Sequence, residues 1–166
     1  MVTVLCVGGS IVAPDKPDTE FLHKFSVTVR KWLAEDGSRK LIMVIGGGGP
    51  ARTYQNAYKD VCKESGAGVS NDEADWIGIM ATRLNAQLLK AVFSDMCPNP
   101  VVYDPTAAEL FTGQVLIAAG WKPGFSTDND AVLLAEKFSG RLVVNLSNIA
   151  KVYTDGPKTT PGAKPI

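Results

Sequence analysis

Three segments of this chain could bind a phosphate group, because each places glycine directly after a run of apolar residues. They are the first glycine turn (residues 8–10), the tetraglycine segment (residues 46–49) and the third glycine loop (residues 120–128). Glycine has no Cβ, so its backbone N–H can approach an anion, and a helix starting behind it adds partial positive charge. A single glycine after a strand is more often only a tight turn. Four in a row are harder to explain in that way, since each lowers the stability of regular structure by about 0.5–1 kcal/mol relative to alanine.

Charged and hydroxyl side chains stand next to these segments. Arg52 follows the tetraglycine segment in the first turn of an expected helix, where a cation is unfavourable unless it serves an anion; the alternative is a surface arginine. Asp75 is either an ordinary carboxylate near a helix start or an acceptor for ribose hydroxyls. Ser126, Thr127 and Asp128 are typical of a helix N-cap. If the three glycine segments meet, Asp128 instead becomes a candidate for organising a metal ion or phosphates.

The elements that must position these residues alternate along the chain. Short β-branched runs predict strands at 2–7, 41–45, 101–103, 115–119 and 141–146, and apolar spacing of three and four predicts helices at 18–36, 51–63, 74–93 and from the third glycine loop to 138, with a short helical stretch at 107–111. This order predicts one domain with a three-layer αβα sandwich and a largely parallel central sheet. In such a sheet the loops after the strands gather at the carboxyl edge, where ligands bind.

Composition excludes several classes of protein. Lys and Arg number 17, as do Asp and Glu, so no net field attracts nucleic acid or an anionic membrane. The three cysteines and single histidine suggest neither a zinc cluster nor a disulfide framework. No apolar run suits a membrane span, and the first residues make a poor signal peptide. We therefore expect a cytoplasmic protein with no nucleic-acid or membrane partner.

Taken together, five motifs carry a resemblance along nearly the whole chain. They are Val-Gly-Gly-Ser at 7–10, Val-Ile-Gly-Gly-Gly-Gly-Pro-Ala-Arg at 44–52, Asp-Trp-Ile-Gly-Ile-Met-Ala-Thr-Arg-Leu-Asn-Ala at 75–86, Ala-Gly-Trp-Lys-Pro-Gly-Phe-Ser-Thr-Asp at 119–128, and Asn-Leu-Ser-Asn-Ile with Val-Tyr-Thr at 145–154. In this order they resemble the amino acid kinase superfamily, most closely its archaeal-type uridylate kinases. The resemblance implies the corresponding fold and a cytoplasmic, oligomeric enzyme of pyrimidine nucleotide biosynthesis that transfers the γ-phosphoryl group of ATP to UMP. It also implies Mg²⁺ as cofactor and a hexamer built from dimers through the first long helices.

The same resemblance assigns roles to residues. Asp128 and Arg52 would be catalytic, and Mg²⁺ would be held through ATP, with Asp128 as the one protein group near it. The expected ATP-binding residues are Gly9, Ser10, Gly48, Arg52, Ser147, Asn148 and Tyr153. The expected UMP-binding residues are Gly47, Asp75, Trp121, Lys122, Pro123, Gly124, Phe125, Ser126 and Thr127.

The chain also departs from the family pattern. Trp121 and Lys122 replace a small hydroxyl residue that recognises uracil, and the family continues beyond the position matching Ile166. The resemblance therefore implies that residues 1–120 form mainly the UMP half, that residues 121–166 begin a truncated ATP half, and that an uncovered sheet face or edge results. Two alternatives stay open. One is another small-molecule kinase, acting on isopentenyl phosphate or acetylglutamate, which the motif at 75–86 disfavours. The other is a non-catalytic oxyanion-binding, nucleotide-binding or molybdenum-storage-like protein.

Overall fold

The structure is a computed structural model and describes residues 1–148, 154, 162 and 164. Its elements follow the order β1 (Val2–Val7), α1 (Gly9–Val12), α2 (Thr19–Ala34), β2 (Lys40–Ile45), α3 (Gly48–Ser65), α4 (Asn71–Val92), β3 (Val115–Ala118), α5 (Thr127–Lys137) and β4 (Leu142–Leu146). No helix among these residues is long and apolar enough to cross a membrane.

A four-stranded parallel sheet organises the fold, with the strand order β3-β2-β1-β4. Val7 at the end of β1 pairs with Ile45 of β2 and with Leu146 of β4, and Val44 pairs with Ala118 of β3. Because every pair is parallel, all four strands end at the same edge. The three glycine segments and residues 147–148 follow these strand ends, as the sequence predicts.

Two apolar clusters cover the two faces of the sheet. Alternate residues of β2 divide between them: Met43 contributes to the cluster under α2 and α4, and Val44 to the cluster under α5. Large side chains such as Phe93 and Leu134 are fully buried in these clusters, and each contributes about 1.5–3 kcal/mol by leaving water. Helices on both faces confirm the predicted αβα sandwich.

Some predicted boundaries are wrong. The strand expected at 101–103 is a single bridge between Val102 and Ala118, and residues 107–111 form no helix. Asp104 instead accepts hydrogen bonds from the N–H and hydroxyl of Thr106, at 2.8 and 2.6 Å. That local turn competes with helix formation. A segment of five residues is also too short to form a stable helix by itself.

Two helices also start earlier than predicted. The helix α4 begins at Asn71, where the Ser70 hydroxyl accepts the Glu73 N–H at 3.3 Å. Ser and Glu three residues apart are half of a capping box, a signal that lies upstream of the apolar pattern. The helix α3 begins at Gly48, inside the tetraglycine segment. The edge strand β4 leaves Leu142 and Val143 exposed.

Candidate active site

The first glycine turn and the tetraglycine segment pack backbone against backbone. The Gly46 N–H donates to the Val7 carbonyl at 2.9 Å. A Cβ added to Gly9 would lie 2.0 Å from the Gly48 nitrogen, and one added to Gly48, whose φ is +69°, would lie 2.3 Å from the Gly9 oxygen. No side chain fits at either position without displacing the backbone, which explains the glycine at both.

Two buried polar side chains of α4 connect the tetraglycine segment to the third glycine loop. The Thr82 hydroxyl accepts the Gly120 N–H at 2.8 Å. The Asn85 amide donates to the carbonyls of Gly46 and Gly47 at 2.9 and 3.1 Å. The three glycine segments thus converge on one edge of the sheet, and α4 supports two of them.

An open cleft of about 450 Å³ lies between α3, α4 and the third glycine loop. It is lined by Gly47, Ala51, Gln55, Asp75, Gly78, Ile79, Thr82, Gly120, Lys122, Gly124, Phe125, Ser126 and Thr127. Of the residues predicted to bind UMP, all line this cleft except Trp121 and Pro123. Its volume falls in the range of small-molecule sites.

Asp75 lines the cleft and contacts the third glycine loop. One of its carboxylate oxygens, Oδ2, accepts the Gly124 N–H at 3.1 Å, which ties the tip of the third glycine loop to α4. Gln55 lies beside it and donates to the Ala74 carbonyl at 2.8 Å. The Gln55 amide occupies the space next to Gly78, where an added Cβ would lie 2.6 Å from Nε2. Sequence reasoning missed Gln55, which the spacing of α3 brings to the cleft one turn after Ala51.

Asp128 lies in the first turn of α5, beyond the cleft lining. Ser126 caps this helix by accepting the Asn129 N–H at 3.2 Å. The Asn145 amide of β4 donates to Asp128 Oδ1 at 2.9 Å. Beneath them, burial and then the neighbouring Asp128 raise the pKa of the Cys6 thiol to about 12. Cys6 therefore stays protonated at neutral pH and cannot act as a nucleophile.

Several residues expected to hold ATP follow β1 and β4, on the opposite side of β2 from the third glycine loop. Gly9 and Ser10 form the start of α1, and the Gly8 N–H donates to the Leu146 carbonyl at 2.9 Å. This bond brings the first glycine turn next to Ser147, whose Cα would lie 3.7 Å from a Cβ on Gly8. Ser147 and Asn148 are exposed at the end of β4, and Tyr153 lies outside the described residues.

Arg52 is exposed on α3, away from the cleft lining. Its guanidinium donates to the Pro14 carbonyl at 3.4 Å, a long contact. Gly49 is nearby, since a Cβ there would lie 2.2 Å from the same oxygen. Arg52 thus stands between the tetraglycine segment and the chain that follows α1, and its charge is not neutralised by an ion pair with any described carboxylate.

Comparison with known proteins identifies the family to which this chain belongs. The amino acid kinase family matches residues 1–166. The chain belongs to the amino acid kinase family. It is 36% identical to a uridylate kinase of Pyrococcus abyssi over 169 residues, covering 100% of this chain and 71% of that protein. It is 34% identical to a uridylate kinase of Thermococcus sibiricus, with the same coverage.

A solved structure agrees with these matches. The uridylate kinase of Archaeoglobus fulgidus superposes with a TM-score of 0.77 at 31% identity, covering 99% of this chain and 72% of that one. The predicted family and fold are confirmed. As a member of this family the protein is a phosphotransferase of the kinase class.

Two further side chains of this amino acid kinase hold the start of the third glycine loop, and neither was foreseen. Asp130 is fully buried and accepts the Trp121 N–H at 3.2 Å; its second oxygen has no partner in the part of the chain that the structure describes. Burial raises the pKa of this carboxyl above its ordinary range. Arg83 donates to the Trp121 carbonyl at 3.1 Å, and its guanidinium lies 4.4 Å from the Tyr103 ring centroid.

Lys122 places an exposed ammonium group on the cleft wall of the kinase. Its ammonium lies 3.9 Å from the Trp121 ring centroid and 5.0 Å from that of Phe125. These aromatic contacts are weak at an exposed site, about 0.5–1 kcal/mol. An anion in the cleft could therefore draw the ammonium away from the rings at little cost.

Proposed function

We propose that this amino acid kinase transfers the γ-phosphoryl group of ATP to UMP and forms UDP. The observation that supports this most directly is the cleft between Gly47 and Asp75, which opens at the edge where all three glycine segments meet. The relatives named uridylate kinase match along the whole chain.

The start of α3 is suited to an acceptor phosphate. Asp18, Ser70 and Ser126 cap α2, α4 and α5 with side-chain hydrogen bonds, and each of those helices has an acidic residue in its first turn. The helix α3 has neither, because its N-cap is Gly47 and its first turn contains no acid. Pro50 has no N–H, and the Gly49 N–H donates to the Ala13 carbonyl at 2.8 Å. The N–H groups of Gly47 and Gly48, with the partial positive charge of the helix start, would therefore serve a phosphate that enters the cleft.

The rest of UMP would extend along the cleft from that phosphate. Asp75 would accept hydrogen bonds from the ribose hydroxyls, since a carboxylate only accepts. Lys122 and residues 124–127, which line the cleft, would surround the base and sugar. Arg52 would turn from Pro14 toward the phosphate being transferred, a stronger partner than a carbonyl.

ATP would bind beside the first glycine turn. Gly9, Ser10 and Gly48 would hold its phosphates through backbone N–H groups, and Ser147 and Asn148 would border its nucleoside, with Tyr153 as a further proposed contact. In this arrangement the γ-phosphoryl group faces the start of α3. Such a transfer asks the protein for positioning and charge stabilisation rather than covalent chemistry.

Mg²⁺ fits this arrangement as a companion of ATP. Among residues 1–148, no three His, Cys, Asp or Glu side chains lie close enough to hold a metal ion by themselves. Asp128 is exposed, and Asn145 occupies only one of its oxygens. A single carboxylate combined with phosphate oxygens and water is a common Mg²⁺ environment. When bound, the ion would neutralise charge on the β- and γ-phosphates, and Asp128 would orient it.

A turnover assay tests the proposal. ADP formation is measured with UMP, CMP and dUMP, and UMP affinity is measured separately by calorimetry. UMP should be the best acceptor, and Asp128→Asn should lower kcat by about a hundred- to a thousandfold while UMP still binds. Asp60→Asn, an exposed change on α3, should not affect the rate. UMP binding without any transfer would favour the non-catalytic alternative, and absence of UMP binding would refute the proposal.

We also propose that the kinase is a homo-oligomer. Trp76, Met80, Leu84 and Leu88 recur every four residues on α4 and are 40, 59, 71 and 36% exposed. This spacing places them on one helix face, and such an apolar stripe is typical of an interface. Leu84→Glu should reduce the mass measured by light scattering, whereas Val132→Glu at an exposed position of α5 should not. An unchanged mass for Leu84→Glu would refute this interface.

The cysteines support the proposed cytoplasmic location. Cys6, Cys62 and Cys97 are all free thiols. Unpaired cysteines are usual in a reducing compartment. A fluorescent fusion expressed in the native host would test the location by microscopy.

A further inference from the structure

Thr82 stands where two of the glycine segments and the cleft meet. Its hydroxyl accepts the Gly120 N–H at 2.8 Å and donates to the Ile79 carbonyl at 2.7 Å. The side chain is buried and borders the cleft. Because the hydroxyl is engaged both as donor and as acceptor, its orientation is fixed.

The methyl group of the same side chain faces the tetraglycine segment. A Cβ built on Gly47 would lie 3.4 Å from Thr82 Cγ2, which is ordinary contact. One turn further along α4, Asn85 holds the carbonyls of Gly46 and Gly47. A single rigid helix therefore supports the tetraglycine segment and the third glycine loop together.

We propose that Thr82 is a positioning residue that fixes the distance between the third glycine loop and the tetraglycine segment. The inference rests on the proposed function, in which one segment borders the acceptor and the other the transferred phosphate. Reacting groups displaced by about 1 Å can lose on the order of a hundredfold in rate. A side chain that sets this distance controls the rate without touching the phosphates.

Other contacts hold the loop at separate points, so loss of the Thr82 hydroxyl should displace the loop and leave the fold intact. The Arg83 guanidinium holds the Trp121 carbonyl, and Asp75 holds the Gly124 N–H. The Gly120 N–H would lose the partner that it has in the described part of the chain, and the Ile79 carbonyl would lose the hydroxyl donor. A buried N–H without a partner is unfavourable, and the loop start would shift to reach water or another acceptor.

The test compares Thr82→Val with Thr82→Ser. Valine keeps the volume and the methyl group and removes the hydroxyl, whereas serine keeps the hydroxyl. We expect Thr82→Val to lower kcat by roughly ten- to a hundredfold, with a smaller change in the KM for UMP, and Thr82→Ser to recover most of kcat. Thr28→Val is the matched control, since Thr28 on α2 donates only within its own helix, to the Lys24 carbonyl.

Amide hydrogen exchange of Gly120 gives a readout that does not depend on the substrate. It should be faster in Thr82→Val and close to wild type in Thr82→Ser. A folded Thr82→Val with wild-type kcat, or a Thr82→Ser as slow as Thr82→Val, would overturn the inference. If the wild-type protein does not phosphorylate UMP, the proposed function fails by itself. Unchanged Gly120 exchange in Thr82→Val would then overturn the inference, and faster exchange would support it.

Discussion

Adding one methyl group to Gly9 should separate the two glycine segments that the kinase packs together. In Gly9→Ala the new Cβ would lie 2.0 Å from the Gly48 nitrogen, 2.6 Å from the Gly48 Cα and 2.7 Å from the Gly46 carbonyl carbon. All three atoms belong to the backbone, so no rotamer change can relieve the contact. Non-bonded atoms pack at about 3.5 Å, and the segments must therefore move apart by about 1.5 Å.

This displacement should affect both stability and rate. Overpacking of this kind costs about 1–3 kcal/mol, and contacts with backbone favour the upper half of that range. For a domain of this size, such a loss corresponds to a Tm lower by roughly 5–10 °C. The γ-phosphoryl group of ATP would shift with the first glycine turn, so kcat should fall by on the order of a hundredfold even at temperatures where the protein is folded.

Calorimetry and the UMP turnover assay measure the two effects side by side. Gly37→Ala is the matched control, because nothing lies within 4 Å of a Cβ at that position. It should be neutral or stabilising by about 0.4–1 kcal/mol through the unfolded state. If Gly9→Ala behaved like Gly37→Ala in both assays, the close packing of the glycine segments would be disproved.

Three further predictions concern single side chains. Arg52→Ala should lower kcat/KM by about ten- to a hundredfold, the loss of a charge-assisted contact, with Arg52→Lys recovering part of it; an unchanged value would remove Arg52 from the site. At pH 8 iodoacetamide should modify half-buried Cys62 and leave Cys6 untouched, because the Cys6 pKa of about 12 keeps it protonated. Peptide mass spectrometry measures the modification, with urea-unfolded protein as control, and modification of Cys6 in the folded protein would contradict the prediction. Burial raises the pKa of Asp130, so the folded protein retains a proton that the unfolded chain releases, and stability should fall as pH rises through that raised pKa. Asp130→Asn should reduce this fall in Tm, and an equal fall in both proteins would contradict it.

The sequence predicts the elements that have a strong local pattern. The first strand is correct at both ends, because a β-branched run is bounded by Met1 on one side and glycine on the other. The predicted helix at 107–111 is wrong because a turn at Asp104 and Thr106 satisfies the backbone locally. Apolar spacing cannot detect such a turn. Capping signals upstream of the spacing, such as Ser70, identify helix starts better.

Only those parts of the site that lie within contiguous sequence motifs could be predicted. Glycine segments and the acids beside them are visible as motifs, and the parallel topology brings them together. Asn145 and Asp130 were missed because their partners depend on strand register and on burial, which no local window contains. Thr82 and Asn85 did leave a signal, since two polar residues occupy the buried face of an otherwise apolar helix. A buried polar side chain needs a partner, and here the partners are backbone groups of the tetraglycine segment and the third glycine loop.

The division of charge along the sheet edge explains how a neutral protein can direct a phosphoryl group. The first turn of α5 carries Asp128 and Asp130, so acidic groups compensate the positive end of that helix. The first turn of α3 has no acid, so its positive end stays available. A phosphate without a metal ion should therefore be drawn to α3, and a phosphate that carries Mg²⁺ should be drawn toward Asp128. We therefore expect that an acid placed at Ala51, which makes the start of α3 acidic, weakens UMP binding more than ATP binding. Both nucleotides are anions, and the net charge of the protein changes equally for both. A general charge effect would therefore weaken the binding of both alike.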